Sequence, residues 1–352
     1  MENNELNNDA ASMESNEPQK PSNNPVALDS YMETRIKMQP LQEMTDKIKD
    51  ATSDIIVGQH ETIELLLAAL LADGHVLIEG VPGVAKTLMA KVIARTIDVA
   101  FGRIQFTPDL MPTDVLGTSV YNTKNTEFEF KKGPVFANIV LVDEINRAPA
   151  KTQSALFEVM EERQVTVDGT TYPMSEPFLI LATQNPVEHE GTYRLPEAQL
   201  DRFLFKLSVG YPSATEETEI LKGHNDRRRL SDAVNEVKPA ISADQLNSLR
   251  EKILSVHVEE KLLEYIVSVV GATRSHPALF LGASPRASVA LLNSCKALAA
   301  LRGRDFITPD DVQELAFPVL RHRIILTPER EMEGSTPDDL IRLILEKTEV
   351  PR

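Results

Sequence analysis

The stretch Gly80-Val81-Pro82-Gly83-Val84-Ala85-Lys86-Thr87 stands between an apolar run, His75-Val76-Leu77-Ile78-Glu79, and a helix-like run, Leu88-Met89-Ala90-Lys91-Val92-Ile93-Ala94. Strand, glycine-bearing loop and helix in that order make a phosphate loop. Successive backbone N–H groups converge on an anion, the helix start adds the positive end of its dipole, and a lysine reaches the outer phosphates. Lys86 takes that last role, and Thr87 offers a hydroxyl to the magnesium that travels with a nucleoside triphosphate. The G-x-x-x-x-G-K-[ST] pattern asks for a glycine where this chain has Ala85. A Cβ is tolerable there only if the backbone stays in an ordinary helical or extended region.

The chain has 352 residues, enough for two domains with their own cores. Its apolar fraction of 42% and charged fraction of 26% are those of a soluble protein. No run approaches the roughly 18 apolar residues that span a bilayer. The Met1 end is acidic and Asn-rich where a signal peptide is basic and then apolar. A cytoplasmic protein without direct membrane insertion is expected. With 53 acidic against 37 basic residues the net charge is -16, which repels nucleic acid and anionic membranes. The one dense basic run, Arg227-Arg228-Arg229, reads as a solvated helix face. The single Cys295 sits in a helical apolar pattern and reads as a core residue, and one cysteine excludes an intrachain disulfide.

Residues 1–35 form an acidic, Asn-rich tail with too few large apolar side chains, above all in 1–25, to offset the entropy of ordering, so disorder is expected. Residues 36–211 alternate between helical and strand patterns. Helices are expected over 38–52 and 61–72, and strands at 102–107, 138–142, 178–183 and 203–207 in addition to the run before the phosphate loop. Two hairpins interrupt the alternation, at about 119–130 and at 165–172, the second around the turn pair Asp168-Gly169. Continuous apolar strands separated by helices make a parallel sheet, the core of an α/β P-loop NTPase. Residues 212–352 read as helical only, an all-α domain following the sheet, with Ser284-Pro285 and Thr308-Pro309-Asp310-Asp311 starting two of its helices.

Chemistry gathers at three strand ends. Lys86 and Thr87 follow one strand, Asp143-Glu144 end a second, and Asn185 follows a third, so all can share the carboxyl rim of a parallel sheet, where such folds bind ligands. In that arrangement Asp143 holds magnesium through water, Glu144 is the base on the attacking water, and Asn185 orients that water near the γ-phosphate. Cleavage also benefits from a cation on the transition state, and nothing near the loop in sequence provides one.

Taken together these residues resemble the AAA+ ATPases, and specifically the MoxR family of the clade with a hairpin inserted in its second helix. The resemblance extends over roughly residues 35–345. Gly80 to Thr87 is similar to Walker A, with the alanine before the lysine that this family favours; Ile139 to Glu144 is similar to Walker B, and Asn185 to sensor 1. The resemblance implies ATP and Mg2+ as ligands. It implies nucleotide contacts from Gly80 to Leu88 and from Val57-Gly58-Gln59 beside the adenine. It assigns Arg202, in Leu200-Asp201-Arg202-Phe203, to the arginine finger that reaches the neighbouring subunit's nucleotide. Arg286, in Ser284-Pro285-Arg286, becomes sensor 2, on the nucleotide of its own subunit. Without the resemblance Arg202 reads as a helix-capping arginine and Arg286 as an exposed helix-start residue.

A ring, hexameric in such families, that remodels or matures a protein client follows from the resemblance, with von Willebrand factor A-domain proteins as the expected client class. The hairpins are its candidate working surfaces. Their tips, Lys124-Asn125 and Asp168-Gly169, lack the aromatic that grips substrate in threading rings, which favours pushing or remodelling. Two alternatives stay open: an ATP-binding switch or scaffold with little turnover, and a nucleic-acid motor, which the acidic balance and the hairpins' lack of basic and aromatic clusters oppose.

Overall fold

A computed structural model describes residues 40–351 except 53–54, 82, 84, 186–192, 194, 226–233 and 235. The expected tail, the Arg227-Arg228-Arg229 run, Pro82 and Val84 lie outside the described residues. A helix α1 over residues 40–52 and α2 (His60–Leu71) precede strand β1 (His75–Gly80), and α3 (Lys86–Thr96) follows the phosphate loop. Then come β2 (Phe101–Gln105), α4 (Pro112–Leu116), a hairpin of β3 (Gly117–Asn122) and β4 (Glu127–Lys132), and β5 (Ile139–Asp143). Helix α5 (Ala150–Glu162) leads to a second hairpin, β6 (Gln164–Val167) and β7 (Thr170–Pro173), then to β8 (Leu179–Gln184), α6 (Glu197–Leu200) and β9 (Phe203–Val209).

The five long strands form one parallel sheet in the order β2-β5-β8-β1-β9. Alternation along each strand divides its side chains between two cores. Val76, Ile78, Leu141 and Leu181 face the layer of α2 and α3, while Leu77, Val140, Val142 and Ile180 face α5. The two hairpins stand beside one another: Phe130 and Tyr172 stack with centroids 4.5 Å apart, and the Ser119 hydroxyl donates to Asp168. Tyr121 and Phe128 form an exposed edge-to-face pair on the first hairpin, so its aromatic content sits on the flank and not at the tip.

The C-terminal part contains α7 (Ala214–Asn225), α8 (Ala243–Ile253), α9 (Glu260–Ser275), β10 (Leu279–Leu281), α10 (Pro285–Leu301), α11 (Pro309–Leu320), β11 (Ile325–Leu326), α12 (Pro328–Met332) and α13 (Pro337–Lys347). The expectation of helices alone is corrected: β10 and β11 pair antiparallel, a contact made across 43 intervening residues by strands too short for any sequence pattern. Helix α13 starts on Thr336-Pro337-Asp338-Asp339, the same opening as Thr308-Pro309-Asp310-Asp311, and both threonines cap their helix with a reciprocal capping box. Ser284 is different. It occupies the N-cap of α10, yet its side chain makes no cap bond and its hydroxyl donates instead to Asp201 at 3.1 Å. The helices do not stand clear of the sheet domain, since Leu246, Leu249 and Leu291 join the same buried cluster as Leu66 and Leu70 of α2.

Candidate functional site

Strand order decides what meets what. β8 lies between β5 and β1, so the carboxyl ends of these three neighbours bring Asp143-Glu144, Asn185 and the phosphate loop side by side, with Asn185 in the middle. A cavity of about 510 Å³ opens on this rim, and Lys86, Thr87, Asp143, Glu144 and Asn185 all contribute to its wall. That is a volume suited to a small organic ligand such as a nucleotide.

The loop is built by close approach and by strain. A Cβ on Gly80 would meet the backbone carbonyl of Val209 at 2.5 Å, so β1 can run tight against β9 only with glycine at its end. Gly83 has φ +89°, which a glycine adopts freely. Ala85, however, has φ 58° and ψ 18°. The condition that a Cβ there needs an ordinary backbone is therefore not met: Ala85 is left-handed, a conformation that costs an alanine about 1–2 kcal/mol. Being the N-cap of α3, it makes the turn that aims the first N–H groups of the helix into the cavity. Lys86 folds back so that Nζ donates to the Gly80 carbonyl at 2.7 Å. Burial pushes its ammonium pKa down, and the carboxylates of Asp143 and Glu144 oppose that shift.

Asp143 and Glu144 are engaged by side chains that the sequence reading passed over. Arg103 Nε donates to Asp143 Oδ2 at 2.7 Å and the Thr183 hydroxyl to Oδ1 at 3.3 Å. Gln105 Nε2 donates to Glu144 Oε2 at 2.7 Å, and Arg147 Nε lies 3.0 Å from the same oxygen. The Glu144 N–H donates to Thr183 Oγ1 at 3.0 Å, and Glu144, like Ala85, is left-handed with φ 58°. Arg103 and Gln105 sit two apart on β2, on the face and next to the strand that carry the acids. Their alternation was readable; what was missing was the knowledge that β2 pairs with β5. The donor set of one hydroxyl, Thr87, and one carboxylate, Asp143, beside a triphosphate suits magnesium, which keeps several waters and few protein ligands.

At the other end, Ile55, Ile56, Val57 and Ile220 line the cavity with apolar surface of the kind that accepts a flat base. Of the three residues expected there, Val57 is in the wall; Gly58 and Gln59 are not, and Gln59 Oε1 accepts the Thr62 hydroxyl at 3.0 Å. Within the loop, Gly83, Ala85, Lys86, Thr87 and Leu88 are in the wall, whereas Gly80 and Val81 support it from behind.

The model of the ATPase family associated with various cellular activities (AAA) matches residues 75–205, and the model of the AAA lid domain matches residues 271–344. Chaperone MoxR1 of Mycobacterium tuberculosis is 48% identical over 307 residues, 85% of this chain and 80% of that protein. The chain belongs to the MoxR family of AAA+ ATPases. Protein MoxR of Paracoccus denitrificans is 31% identical over 302 residues, 80% of this chain and 88% of its own. A crystal structure of a protein described as an ATPase, from Cytophaga hutchinsonii, superposes with a TM-score of 0.82 at 42% identity, covering 93% of this chain and all of the other.

The two arginines that MoxR resemblance singles out are away from this cavity and beside one another. Arg202 Nη1 donates to Glu161 Oε2 at 2.8 Å and to the Phe157 carbonyl at 3.3 Å. Arg286 Nη2 donates to Glu161 Oε1 at 3.1 Å. One carboxylate near the end of α5 thus receives both guanidinium groups. Arg286, expected on the nucleotide of its own subunit, is not among the residues that line its own chain's cavity. Ser284, the residue before α10 and two before Arg286, is bound to Asp201, and this holds the helix start next to the Asp201-Arg202 segment.

Proposed function

We propose that this chain binds ATP with magnesium in the cavity and hydrolyses it as one subunit of a ring, hexameric by analogy with AAA+ relatives. The observation that carries the reading is the succession Glu144, Asn185, Lys86 along three adjacent strand ends, which matches the order that hydrolysis needs. The loop from Gly80 to Leu88 cradles the phosphates, Lys86 leaving the Gly80 carbonyl for the outer phosphates. Bound magnesium neutralises phosphate charge, and Thr87 and Asp143 are the groups that would hold it. Glu144 accepts the proton of the attacking water, and Asn185, midway between base and loop, orients that water.

None of these residues puts a further cation on the transition state. Arg202 is the group proposed to do so, in the site of the neighbouring subunit. The contact of Arg286 with the same Glu161 supports placing both arginines on one inter-subunit face, in preference to an Arg286 that serves its own cavity. Further proposed are a division into a tail (1–35), a nucleotide-binding domain (36–211) and a lid (212–352), a cytoplasmic location, and a protein client. The chaperone designation of the Mycobacterium tuberculosis relative supports remodelling or maturation of that client. A von Willebrand factor A-domain protein is the class we propose.

The test is the ATPase rate of the wild type beside Glu144→Gln and Arg202→Ala, with sedimentation in ATP. Turnover that needs both residues, in a protein that assembles with ATP, is expected. A wild type that binds ATP and does not turn it over, or a monomer at full rate without Arg202, contradicts the reading. ATP-dependent retention of a purified von Willebrand factor A-domain protein on Glu144→Gln tests the client class.

A further inference from the structure

Arg323 is a buried arginine of the lid, placed just after α11, and all its donors are used. Nε donates to Asp201 Oδ1 at 2.6 Å; Nη2 donates to the carbonyls of Asp201 at 3.2 Å and Phe203 at 2.7 Å; Nη1 donates to the Leu204 carbonyl at 3.1 Å and to that of Val319. His322 adds a bond from Nε2 to the Phe203 carbonyl at 2.9 Å. The backbone is thereby gripped on both sides of Arg202, by groups about 120 residues away, while the Arg202 side chain is left to point elsewhere.

The second oxygen of Asp201 receives the Ser284 hydroxyl. This bond is made at the expense of local structure. Ser242, Thr308 and Thr336, at the starts of three other lid helices, each cap their own helix; Ser284 does not. The contacts close into a circuit: Asp201 is bonded to Arg202 in the chain, Arg202 and Arg286 both reach Glu161, Arg286 is two residues from Ser284, and Ser284 returns to Asp201.

We propose that Asp201 is a positioning residue, clasped by Arg323 and Ser284, that sets the finger arginine and the lid arginine as one rigid pair for the neighbouring subunit's nucleotide. The inference rests on the reading of Arg202 as acting in trans. A side chain that merely stabilised the fold would lower the melting temperature and spare turnover by the folded protein. A positioning residue lowers kcat at saturating ATP, leaves the KM for ATP and the binding of a fluorescent ATP analogue in place, and shows its defect at the neighbour's site and not at its own.

The experiment uses the full chain as Asp201→Asn, Ser284→Ala and Ser284→Thr, each alone and mixed with an equal amount of Glu144→Gln. Asp201→Asn and Ser284→Ala are expected to lose kcat on the order of ten- to a hundredfold, the cost of misplacing a group by about an ångström. Ser284→Thr, which keeps the hydroxyl, is expected to retain the rate. In a mixed ring a Glu144→Gln subunit presents intact arginines to a clasp-mutant neighbour with an intact base, so activity returns, toward about a quarter of the wild-type rate for random mixing around a head-to-tail ring. Arg202→Ala mixed with Glu144→Gln is the control.

Wild-type rates in Asp201→Asn and Ser284→Ala overturn the inference, as does a loss that Glu144→Gln subunits do not restore while restoring Arg202→Ala. If the Arg202→Ala control is not restored either, the in-trans reading has failed and the clasp inference falls with it. Should Asp201→Asn not fold, the Ser284→Ala and Ser284→Thr pair decides alone, because the Ser284 side chain caps no helix.

Discussion

Gln105 Nε2 donates to Glu144 Oε2 at 2.7 Å, so the residue proposed as the base is held by the adjoining strand β2. Arg147 lies on the same oxygen. A carboxylate held by two donors must turn from them to meet water. Gln105→Ala is expected to raise the basal ATPase rate about three- to tenfold, the equivalent of one net hydrogen bond of about 1 kcal/mol. Glu144→Gln is expected to lower kcat about 10²–10⁴-fold while ATP still binds. Steady-state ATPase assays and titration with a fluorescent ATP analogue check both.

Ala85 carries its left-handed turn at a cost that glycine would not incur, so Ala85→Gly is expected to keep ATP affinity within a few-fold and to change stability by no more than about 1 kcal/mol, relief of strain being offset by the greater unfolded-state freedom of glycine. Ala85→Val places a β-branched side chain at φ 58° and is expected to weaken ATP binding at least about tenfold, since the loop must abandon the turn that aims its N–H groups. Calorimetric titration of both variants separates these outcomes.

Two buried histidines set an acid limit. Burial lowers the pKa of His75 from 6.5 to about 3, its ring receiving the Ile180 N–H on Nδ1 and meeting the Met160 carbonyl through Nε2. Burial, and then the charge of Arg323, lower that of His322 well below its ordinary value. In the unfolded chain both protonate near pH 6.5, so the unfolded state binds more protons and stability rises with pH. The contribution is fully present above about pH 6.5. It is lost as pH falls toward about 3, at about 1.4 kcal/mol per pH unit for His75, with His322 acting in the same direction. Denaturant melts at stepped pH should show this slope, reduced in a His75→Gln variant; a flat profile between pH 6.5 and 4.5 contradicts it.

Cys295 is wholly buried in α10, and burial, reinforced by Asp311 and Glu314, pushes its thiol pKa well up. It is expected to resist iodoacetamide at pH 8 in the native protein and to react only at the rate of unfolding. Rapid native labelling would show that α10 opens far more readily than its packing implies.

How much of this was legible in the sequence depends on the range of the interactions. The phosphate loop, Asp143-Glu144 and Asn185 were readable because each sits at the end of an apolar run, and a parallel sheet brings such ends to one rim. Helix starts at Thr308 and Thr336 are written in four consecutive residues. The conformation of Ala85 was not readable, because the pull of the loop geometry on its backbone outweighs the residue's own preference. Nor were the Ser284 hydroxyl's choice of Asp201 over its own helix, the grip of Arg323 on residues 201–204, and the meeting of Arg202 and Arg286 at Glu161. Each of these joins residues more than 40 apart and exists only once the helical lid is seated on the sheet.

The proposed site is completed by a second subunit, its base and phosphate loop belonging to one chain and its finger arginine to another. The most direct measurement is the ATPase rate per subunit over a dilution series, with the oligomer distribution followed by mass photometry in the same buffer. The rate per subunit is expected to fall with the assembled fraction and to approach zero for monomers that still bind ATP. A rate per subunit that stays constant after the oligomer has dissociated would contradict it.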